Sequence, residues 1–388
     1  MEVLSQTSTA VTAPPLDRAL FPIVRHWSYC DHAAVGPLPR PTRDAMIAAL
    51  DAQMIDGCSG ILRMEERKTD VRSRVAAAIK AQPEEIAFMR STSDGALLVA
   101  NGLDWRTGDE VIASDNEFGA NAYPWLNLRD RGVRVRLIRT PHERLSPQVL
   151  DRLYGPHTRL VAVSYVSFCD GFRHDVAAIG RWCRERGILL AVDAIQGFGA
   201  LPLDVVSGNI DFCYFGTAKW LLSPQGLSVV FVRRDHIERL RPTTFSWRSV
   251  RAPMDFLDYA QELNPTAERF EGATINHPGL AAFGMSLDML THAGLGAIER
   301  HVLKLTDRLI RSADAAGIPV LSDRSVDARS GIVLLGAKGA DSDSLAARAR
   351  ERHVGITVRD SGVRVSPHGY NNEDDVDAVI SLLAEGGP

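Results

Sequence analysis

An aspartate and a lysine, 26 residues apart, each follow an apolar stretch in the middle of the chain. The segment is ILLAVDAIQGFGALPLDVVSGNIDFCYFGTAK, in which Asp193 closes one apolar stretch and Lys219 follows the other. If both stretches are parallel strands, the two side chains meet at one edge of a sheet, where open α/β sheets bind ligands. A carboxylate buried there needs a cationic partner, because an unpaired charge in a dry crevice costs several kcal/mol.

A protonated pyridine nitrogen would supply that cation. Pyridoxal phosphate needs a lysine amine to form an imine and a carboxylate to keep its ring nitrogen protonated, so that the ring accepts electrons released at a substrate's α-carbon. The sequence therefore predicts a pyridoxal-phosphate site in which Asp193 and Lys219 are the catalytic residues. Taken alone, an aspartate and a lysine at strand ends are more often an ordinary surface pair, and the surrounding pattern changes that expectation.

The segments around this pair predict a large α/β domain. From about residue 84, short β-branched runs alternate with amphipathic stretches, which is typical of a mostly parallel sheet with helices on both faces. We predict seven strands, at residues 86–89, 110–114, 133–138, 160–166, 188–193, 212–215 and 228–232. The spacing of Val176, Ile179 and Cys183 predicts a crossover helix over 175–186.

A smaller α+β domain is predicted at the carboxyl end. After an irregular Trp/Arg/Pro-rich segment, one long helical pattern runs over 278–315. Two strands and a helix opened by Asn372 follow, at 331–335, 363–365 and 373–383. The predicted organisation is an N-terminal arm (1–30), a large cofactor-binding domain (31–264) and a small domain (265–388).

Composition favours a cytoplasmic enzyme with a small-molecule substrate. The 388 residues are 45% hydrophobic and 24% charged, with a net charge of -4 and no basic run, so neither nucleic acid nor an anionic membrane is an expected partner. No stretch reaches the roughly 18 apolar residues that span a bilayer. The five cysteines are scattered without CxxC spacing, which predicts reduced thiols and no metal site.

Six segments of the chain form an ordered set: YCDHAAVGPLP, MRSTSDGALLVANGL, SDNEFGANAYPW, the block from Asp193 to Lys219, RFEGATINHPG and VRVSPHGYNNEDDVD. Together they resemble the class V aminotransferase-like family of fold type I pyridoxal-phosphate enzymes, which includes cysteine desulfurases, kynureninases and isopenicillin N epimerase-like proteins. Six matches in order are more specific than any one of them. The resemblance implies the fold-type I architecture and pyridoxal 5'-phosphate as cofactor.

The resemblance also implies cofactor contacts. Thr92 and Ser93, at a helix start, would hold the phosphate together with Thr217, although STSD is also an ordinary helix cap. Phe118 would stack on the cofactor ring, with a core phenylalanine as the alternative. Gln196 would donate to the phenolate oxygen, unless it is only a polar residue at a helix start.

Substrate contacts and assembly follow from the same resemblance. Arg364 would bind the α-carboxylate of an amino-acid substrate through paired hydrogen bonds, with a structural ion pair as the alternative. His32 either approaches the substrate or is satisfied by backbone within a turn. Arg248 and Arg359 are further candidates for an acidic substrate. Thr274 would complete the phosphate site of a second subunit, which implies a homodimer with active sites at the subunit interface.

The chain departs from the cysteine desulfurase pattern in three places. The stretch VGITVRDSGVRVS is short and lacks the nucleophilic cysteine of the desulfurase loop. Ala218 precedes the lysine where many relatives have histidine, and Gly216 stands three residues before it. Phe168 replaces the family's asparagine. The missing cysteine disfavours persulfide-forming desulfurase activity, and Phe168 points to the epimerase-like and C–S lyase-like branch.

The predicted activity is therefore chemistry at the α-carbon of an amino acid, with Lys219 as general base. We expect β-elimination that breaks a C–S bond of a cysteine conjugate or a related modified amino acid, in specialised metabolism. Epimerisation, transamination, decarboxylation and a catalytically silent homologue are the alternatives. A nucleotide-binding Rossmann enzyme is disfavoured, because no GxGxxG follows the first strand.

Overall fold

The computed structural model describes residues 13–140, 143–337 and 341–385, so residues 1–12 of the predicted arm lie outside the described part. The described strands are β1 (Ser28–Tyr29), β2 (Ile86–Met89), β3 (Glu110–Ser114), β4 (Arg134–Ile138), β5 (Thr158–Ser164), β6 (Leu189–Asp193), β7 (Phe212–Gly216), β8 (Ser228–Val232), β9 (Val333–Leu335), β10 (Val354–Gly355), β11 (Thr357–Arg359) and β12 (Gly362–Val365). The described α-helices are α1 (Arg40–Asp56), α2 (Cys58–Ile79), α3 (Thr92–Gly102), α4 (Gly119–Leu126), α5 (Pro147–Leu153), α6 (Val176–Glu185), α7 (Arg234–Ile237), α8 (His277–Ala293), α9 (Leu295–Ala315), α10 (Ser342–Glu351) and α11 (Glu373–Ala384).

Strands β2 to β8 form one seven-stranded sheet in the order β2-β8-β7-β6-β5-β3-β4. Strand β8 runs antiparallel to both of its neighbours, and the other pairings are parallel. All seven predicted strands are confirmed to within two residues. The mostly parallel sheet predicted from the sequence is therefore the central element of the fold.

Apolar residues on both faces of the sheet are covered by helices. Along β6, Leu190 and Val192 belong to one core cluster with residues of α2, α6 and α8, whereas Ala191 faces a second cluster with α3 and Trp125. This alternation follows from the two-residue period of a strand. Burial of both faces explains why the strand sequences are continuously apolar.

The carboxyl-terminal part has its own sheet and core. Strands β11, β12 and β9 pair antiparallel, and α9, α10 and α11 contribute to a third apolar cluster with Val363 and Val365. The change from the first cluster to the third falls inside α9, between Val302 and Leu305. The domain boundary at residue 265 stays a prediction.

Two details differ from the sequence analysis. The single helix expected over 278–315 is wrong: Gly294, with a φ of 83°, ends α8, and α9 starts at the next residue. Glycine adopts this left-handed conformation without the steric cost of a side chain. The chain also forms two long helices, α1 and α2, that were not predicted.

Candidate active site

The carboxyl edge of the large sheet brings the aspartate and the lysine together. Asp193 ends β6 and pairs with Tyr214 of the parallel strand β7, and Lys219 follows three residues after β7. The two side chains lie close enough for each charge to shift the pKa of the other. Parallel strands place their carboxyl ends at one edge, which is why the spacing in the sequence predicted this meeting.

Both groups are displaced from their usual protonation behaviour. Burial raises the pKa of Asp193 to about 7, and burial lowers the pKa of Lys219 to about 8, which the charge of Asp193 partly offsets. Asp193 accepts a hydrogen bond of 2.9 Å from the amide of Ile195, and within the described chain it forms no salt bridge. A buried carboxylate without a close cation fits a pyridinium nitrogen, because that ligand would supply the charge.

A second carboxylate, which the sequence analysis missed, lies behind Asp193. Glu117 is half-buried, accepts hydrogen bonds of 2.9 Å from the backbone amide of Ser164 and from the Asn121 side chain, and accepts one from the Ser164 hydroxyl. Burial raises the pKa of Glu117, and its charge raises that of Asp193. Glu117 directly precedes Phe118 in the matched segment SDNEFGANAYPW, and this adjacency was the signal in the sequence that could have identified it.

Phe118 covers the site from the loop between β3 and α4. Its ring is half exposed, at 50%, and its centroid lies 5.7 Å from the Lys219 amine. The ring of Phe168 meets it edge-on, with 5.3 Å between centroids. An exposed aromatic face beside the lysine fits a ring-stacking role better than a core role.

The start of α3 lies beside the end of β7, the strand that Lys219 follows. Thr92 is buried at the helix start, and its hydroxyl is 3.0 Å from the place where a side-chain carbon on Gly216 would lie. Ser93 is half-buried and lines a neighbouring cavity. Thr217 differs, since its amide and hydroxyl both donate to the Leu227 carbonyl, at 3.2 and 3.1 Å. Neither donor of Thr217 is free for a phosphate, so we leave it out of the proposed phosphate site.

Gln196 is fixed in the floor of the site. Its amide nitrogen donates to the Ala33 carbonyl at 2.9 Å, and its oxygen accepts from the Trp220 indole at 3.0 Å. One amide hydrogen remains for a further acceptor, since an amide nitrogen carries two. The predicted bond to the cofactor's phenolate is compatible with this arrangement and stays a prediction.

Arg364 projects from β12, and an aspartate missed by the sequence analysis holds it. The guanidinium donates to the Phe168 carbonyl at 3.0 Å and to the Thr357 hydroxyl at 3.2 Å, and lies 3.5 Å from Asp31. Burial raises the pKa of Asp31 despite its hydrogen bond from Thr357. The Arg364 Nε has no partner among the described residues. Arg364 is thus buried beside the site, with a buried Nε that no described residue satisfies.

Two further predicted residues, His32 and Arg248, are held by contacts within the chain. His32 is fully buried, and its ring packs among those of Trp220, His368 and Tyr370. Its Nδ1 lies 2.9 Å from the Ser366 carbonyl, whereas its Nε2 has no partner among the described residues, so the backbone satisfies only one of its two ring nitrogens. Arg248 makes a two-point ion pair with Glu65 over the Trp247 ring, which leaves it engaged in a structural contact.

Thr274 lies on the surface and lines a cavity of about 560 Å³ with Arg90 and Asp94. Its predicted contact with a second subunit stays a prediction. No group of metal-ligating side chains occurs among the described residues, and no described helix is long and apolar enough to cross a membrane.

A seven-stranded, mostly parallel sheet with a buried Asp–Lys pair at its carboxyl edge and a smaller α+β part defines a fold-type I pyridoxal-phosphate enzyme. The chain belongs to the aminotransferase class-V family, whose profile matches residues 28–379. The family resemblance seen in the sequence is thereby confirmed, and pyridoxal phosphate is the family's cofactor.

Proteins similar to this chain are named as cysteine desulfurases or as a C–S lyase. A probable cysteine desulfurase of Methanothermobacter thermautotrophicus is 29% identical over 94% of this chain and 96% of its own. The structure of a cysteine desulfurase from Thermococcus onnurineus NA1 has a TM-score of 0.86 at 24% identity, covering 95% of this chain and 96% of that one. The cystine C–S lyase C-DES, in complex with its product cysteine persulfide, has a TM-score of 0.87 at 22% identity, covering 95% of this chain and 100% of that one.

Proposed function

We propose that the protein is a C–S lyase that cleaves a cysteine S-conjugate by β-elimination. The reaction consumes the conjugate and one water, and releases a thiol, pyruvate and ammonia. The relatives named above include cysteine desulfurases and a cystine C–S lyase, and both kinds of enzyme act on sulfur-bearing amino acids. A place in specialised metabolism stays a prediction.

The observation that carries this proposal is the turn between β11 and β12. Only Asp360 and Ser361 connect the two strands, so no loop bearing a nucleophilic cysteine can reach the lysine from this position. Elimination needs no such cysteine, because the thiolate leaves directly from the β-carbon. The short turn therefore favours the lyase over a persulfide-forming desulfurase.

Cys169 is the cysteine near the site, and its environment does not suit a nucleophile. It lies next to Phe168, half-buried, with its sulfur 3.8 Å from the Asn116 carbonyl. Burial raises the pKa of its thiol to about 11, so the thiolate is scarce at neutral pH. Reactive cysteines instead have a lowered pKa.

Pyridoxal phosphate, when bound, draws electrons from the substrate's α-carbon into its ring and so makes the α-proton acidic. The side chains of the site would each have a separate role. Asp193 would hold the ring nitrogen protonated, Phe118 would cover the ring, and Thr92 and Ser93 would bind the phosphate. Lys219, whose pKa is about 8, would take the α-proton and return it to the leaving thiolate. Arg364 would hold the α-carboxylate, with one or more of its present hydrogen bonds exchanged for the substrate.

The test is a product assay on the cofactor-loaded protein with cysteine S-conjugates and common amino acids in deuterated water. Pyruvate with a free thiol supports the proposal. Deuterium at an inverted α-carbon, a pyridoxamine form of the cofactor, or carbon dioxide would instead support epimerisation, transamination or decarboxylation. Lys219→Ala should abolish turnover. If wild-type protein turns over none of these compounds, the catalytically silent alternative is favoured.

We also propose the predicted homodimer in the cytoplasm. The exposure of Thr274 beside the start of α3 supports a contact with a second subunit. Sedimentation of wild type and Thr274→Arg tests it. A monomeric wild type would contradict the proposal.

A further inference from the structure

Three side chains stand in one row across the carboxyl edge of the large sheet. Ser164 of β5 pairs with Asp193 of β6, and Asp193 pairs with Tyr214 of β7. Residues that pair directly across neighbouring strands project from the same face of a sheet. The residues two places earlier on these strands belong to one core cluster on the side of α3, and are Ala162, Ala191 and Phe212. Asp193 therefore stands between Ser164 and Tyr214 on that face.

Glu117 and Asn121 form a bridge between the two ends of this row. The Glu117 carboxylate accepts hydrogen bonds from the backbone amide of Ser164, at 2.9 Å, and from the Ser164 hydroxyl. The Asn121 amide nitrogen donates to Glu117 at 2.9 Å, and the Asn121 oxygen accepts from the Tyr214 hydroxyl at 2.5 Å. The bridge thus joins the two strands that flank Asp193.

The partners of Glu117 favour its ionised form. The Asn121 oxygen also accepts from the Trp125 indole at 3.3 Å, and an indole nitrogen can only donate, so the amide nitrogen of Asn121 must be the atom that faces Glu117. Every hydrogen bond to Glu117 therefore comes from a donor. These donors lower the pKa of Glu117 and offset part of the effect of burial. A second negative charge accordingly lies beside Asp193.

Among the described residues, the other titratable groups around the two carboxylates bring no further negative charge. Burial raises the pKa of three of them, which are therefore neutral near pH 7: Cys169, Cys213 and Tyr214. Lys219 is the cation whose charge lowers the pKa of Asp193, and its amine would carry the imine once the cofactor is bound. Glu117 is therefore the described anion that acts on Asp193.

We propose that Glu117 is a positioning residue that acts on the cofactor through Asp193: its negative charge, held beside Asp193 by the bridge, helps to keep the ring nitrogen protonated. The nitrogen would then have one carboxylate in contact and a second one behind it. The second charge favours a positive ring nitrogen without touching it, because Coulomb attraction is weakly screened in a site that holds little water. This role does not depend on the reaction at the α-carbon, so it can fail or hold independently of the proposed lyase function.

The test is a pH titration of the cofactor-loaded protein, with the ring nitrogen of pyridoxal phosphate isotopically labelled and its NMR shift recorded. Glu117→Gln keeps the size of the side chain and removes its charge, so the pH at which the ring nitrogen loses its proton should fall by about one unit. Glu117→Asp keeps the charge and changes the shape. Ser164→Ala is the matched control, since it removes one hydrogen bond of the bridge and no charge. Both should stay within about 0.3 units of the wild type.

Two results would overturn the proposal. An unchanged midpoint in Glu117→Gln would show that the charge of Glu117 does not reach the cofactor. Equal shifts in Glu117→Gln and Glu117→Asp would show that Glu117 serves only to hold its loop. If Glu117→Gln does not fold, NMR of the wild type with labelled glutamate carboxyls, assigned with Glu117→Asp, decides the question. An ionised Glu117 at the pH where the ring nitrogen titrates supports the proposal, and a protonated Glu117 contradicts it.

Discussion

Replacing Asp193 with asparagine should stabilise the cofactor-free protein while weakening the stabilisation that the cofactor brings. The carboxylate is buried without a salt bridge among the described residues, so its ionised form costs free energy until a pyridinium nitrogen binds beside it. Asparagine keeps an oxygen for the hydrogen bond from the Ile195 amide and carries no charge.

The size of the effect follows from the pKa of Asp193, which burial raises from its usual 3.8 to about 7. A shift of about three units corresponds to about 4 kcal/mol. Because the pKa is raised in the folded state, the contribution of Asp193 to the stability of the wild type is most favourable below pH 3.8 and becomes less favourable as the pH rises to 7. The advantage of Asp193→Asn should therefore grow from almost nothing near pH 4 to about 4 kcal/mol at pH 7 and above.

Thermal unfolding of both proteins, with and without cofactor, at pH 5 and pH 8 provides the measurement. Without cofactor at pH 8, the variant should unfold several degrees above the wild type, and the gap should narrow at pH 5. Addition of cofactor should raise the unfolding temperature of the wild type more than that of the variant. Asp130→Asn, at an exposed position, is the control and should change nothing. A cofactor-free variant that unfolds below the wild type at pH 8, or equal gains from the cofactor, would refute the reasoning.

Three further variants separate the parts of the site. Phe118→Ala should weaken cofactor binding about fivefold, since an aromatic contact contributes about 1 kcal/mol, and an unchanged Kd in a fluorescence titration would exclude stacking. Arg364→Lys keeps the charge but loses the paired hydrogen bonds, so KM for a cysteine S-conjugate should rise about tenfold while the cofactor Kd stays constant. A KM at the wild-type value would argue against carboxylate binding by Arg364. Cys169→Ser should keep the wild-type rate within about twofold, because its thiol stays protonated, and a large loss of pyruvate formation would give this cysteine a part in the chemistry.

The strands of the large sheet were predictable because each is buried on both faces. A strand such as β6 is continuously apolar and ends at a charged residue, which marks both the element and the edge of the sheet. The meeting of Asp193 and Lys219 followed from that edge. The antiparallel direction of β8 was not predicted, because a buried strand has the same apolar sequence in either direction.

Helix α2 was missed for a different reason. Its buried face carries Lys68 and Arg72, which pair with Glu271 at 3.0 and 2.8 Å. These charges interrupt the apolar stripe that Val71 and Ile79 form on the same buried face, which obscures the helical pattern in the sequence. The partner stands about 200 residues further along the chain, so only the folded structure brings these charges together.

The same limit applies to the site. Glu117 and Asp31 read as ordinary loop carboxylates in the sequence, and their burial depends on strands and hairpins distant in the chain. His32 is the opposite case: it lies in a matched segment and was a candidate for the site, but aromatic rings enclose it in the folded structure. Local pattern indicates which residues are near the ligand, whereas tertiary packing decides which of them are accessible.

The contact between Asp31 and Arg364 joins segments from opposite ends of the polypeptide. Strand β1 likewise pairs with β10, more than 300 residues later. Because a ribosome delivers the amino end first, the sheet with its lysine can leave the exit tunnel while the hairpin that bears Arg364 is still inside it. A nascent chain stalled before β11 should therefore be able to take up the cofactor, yet lack the arginine proposed to bind the α-carboxylate.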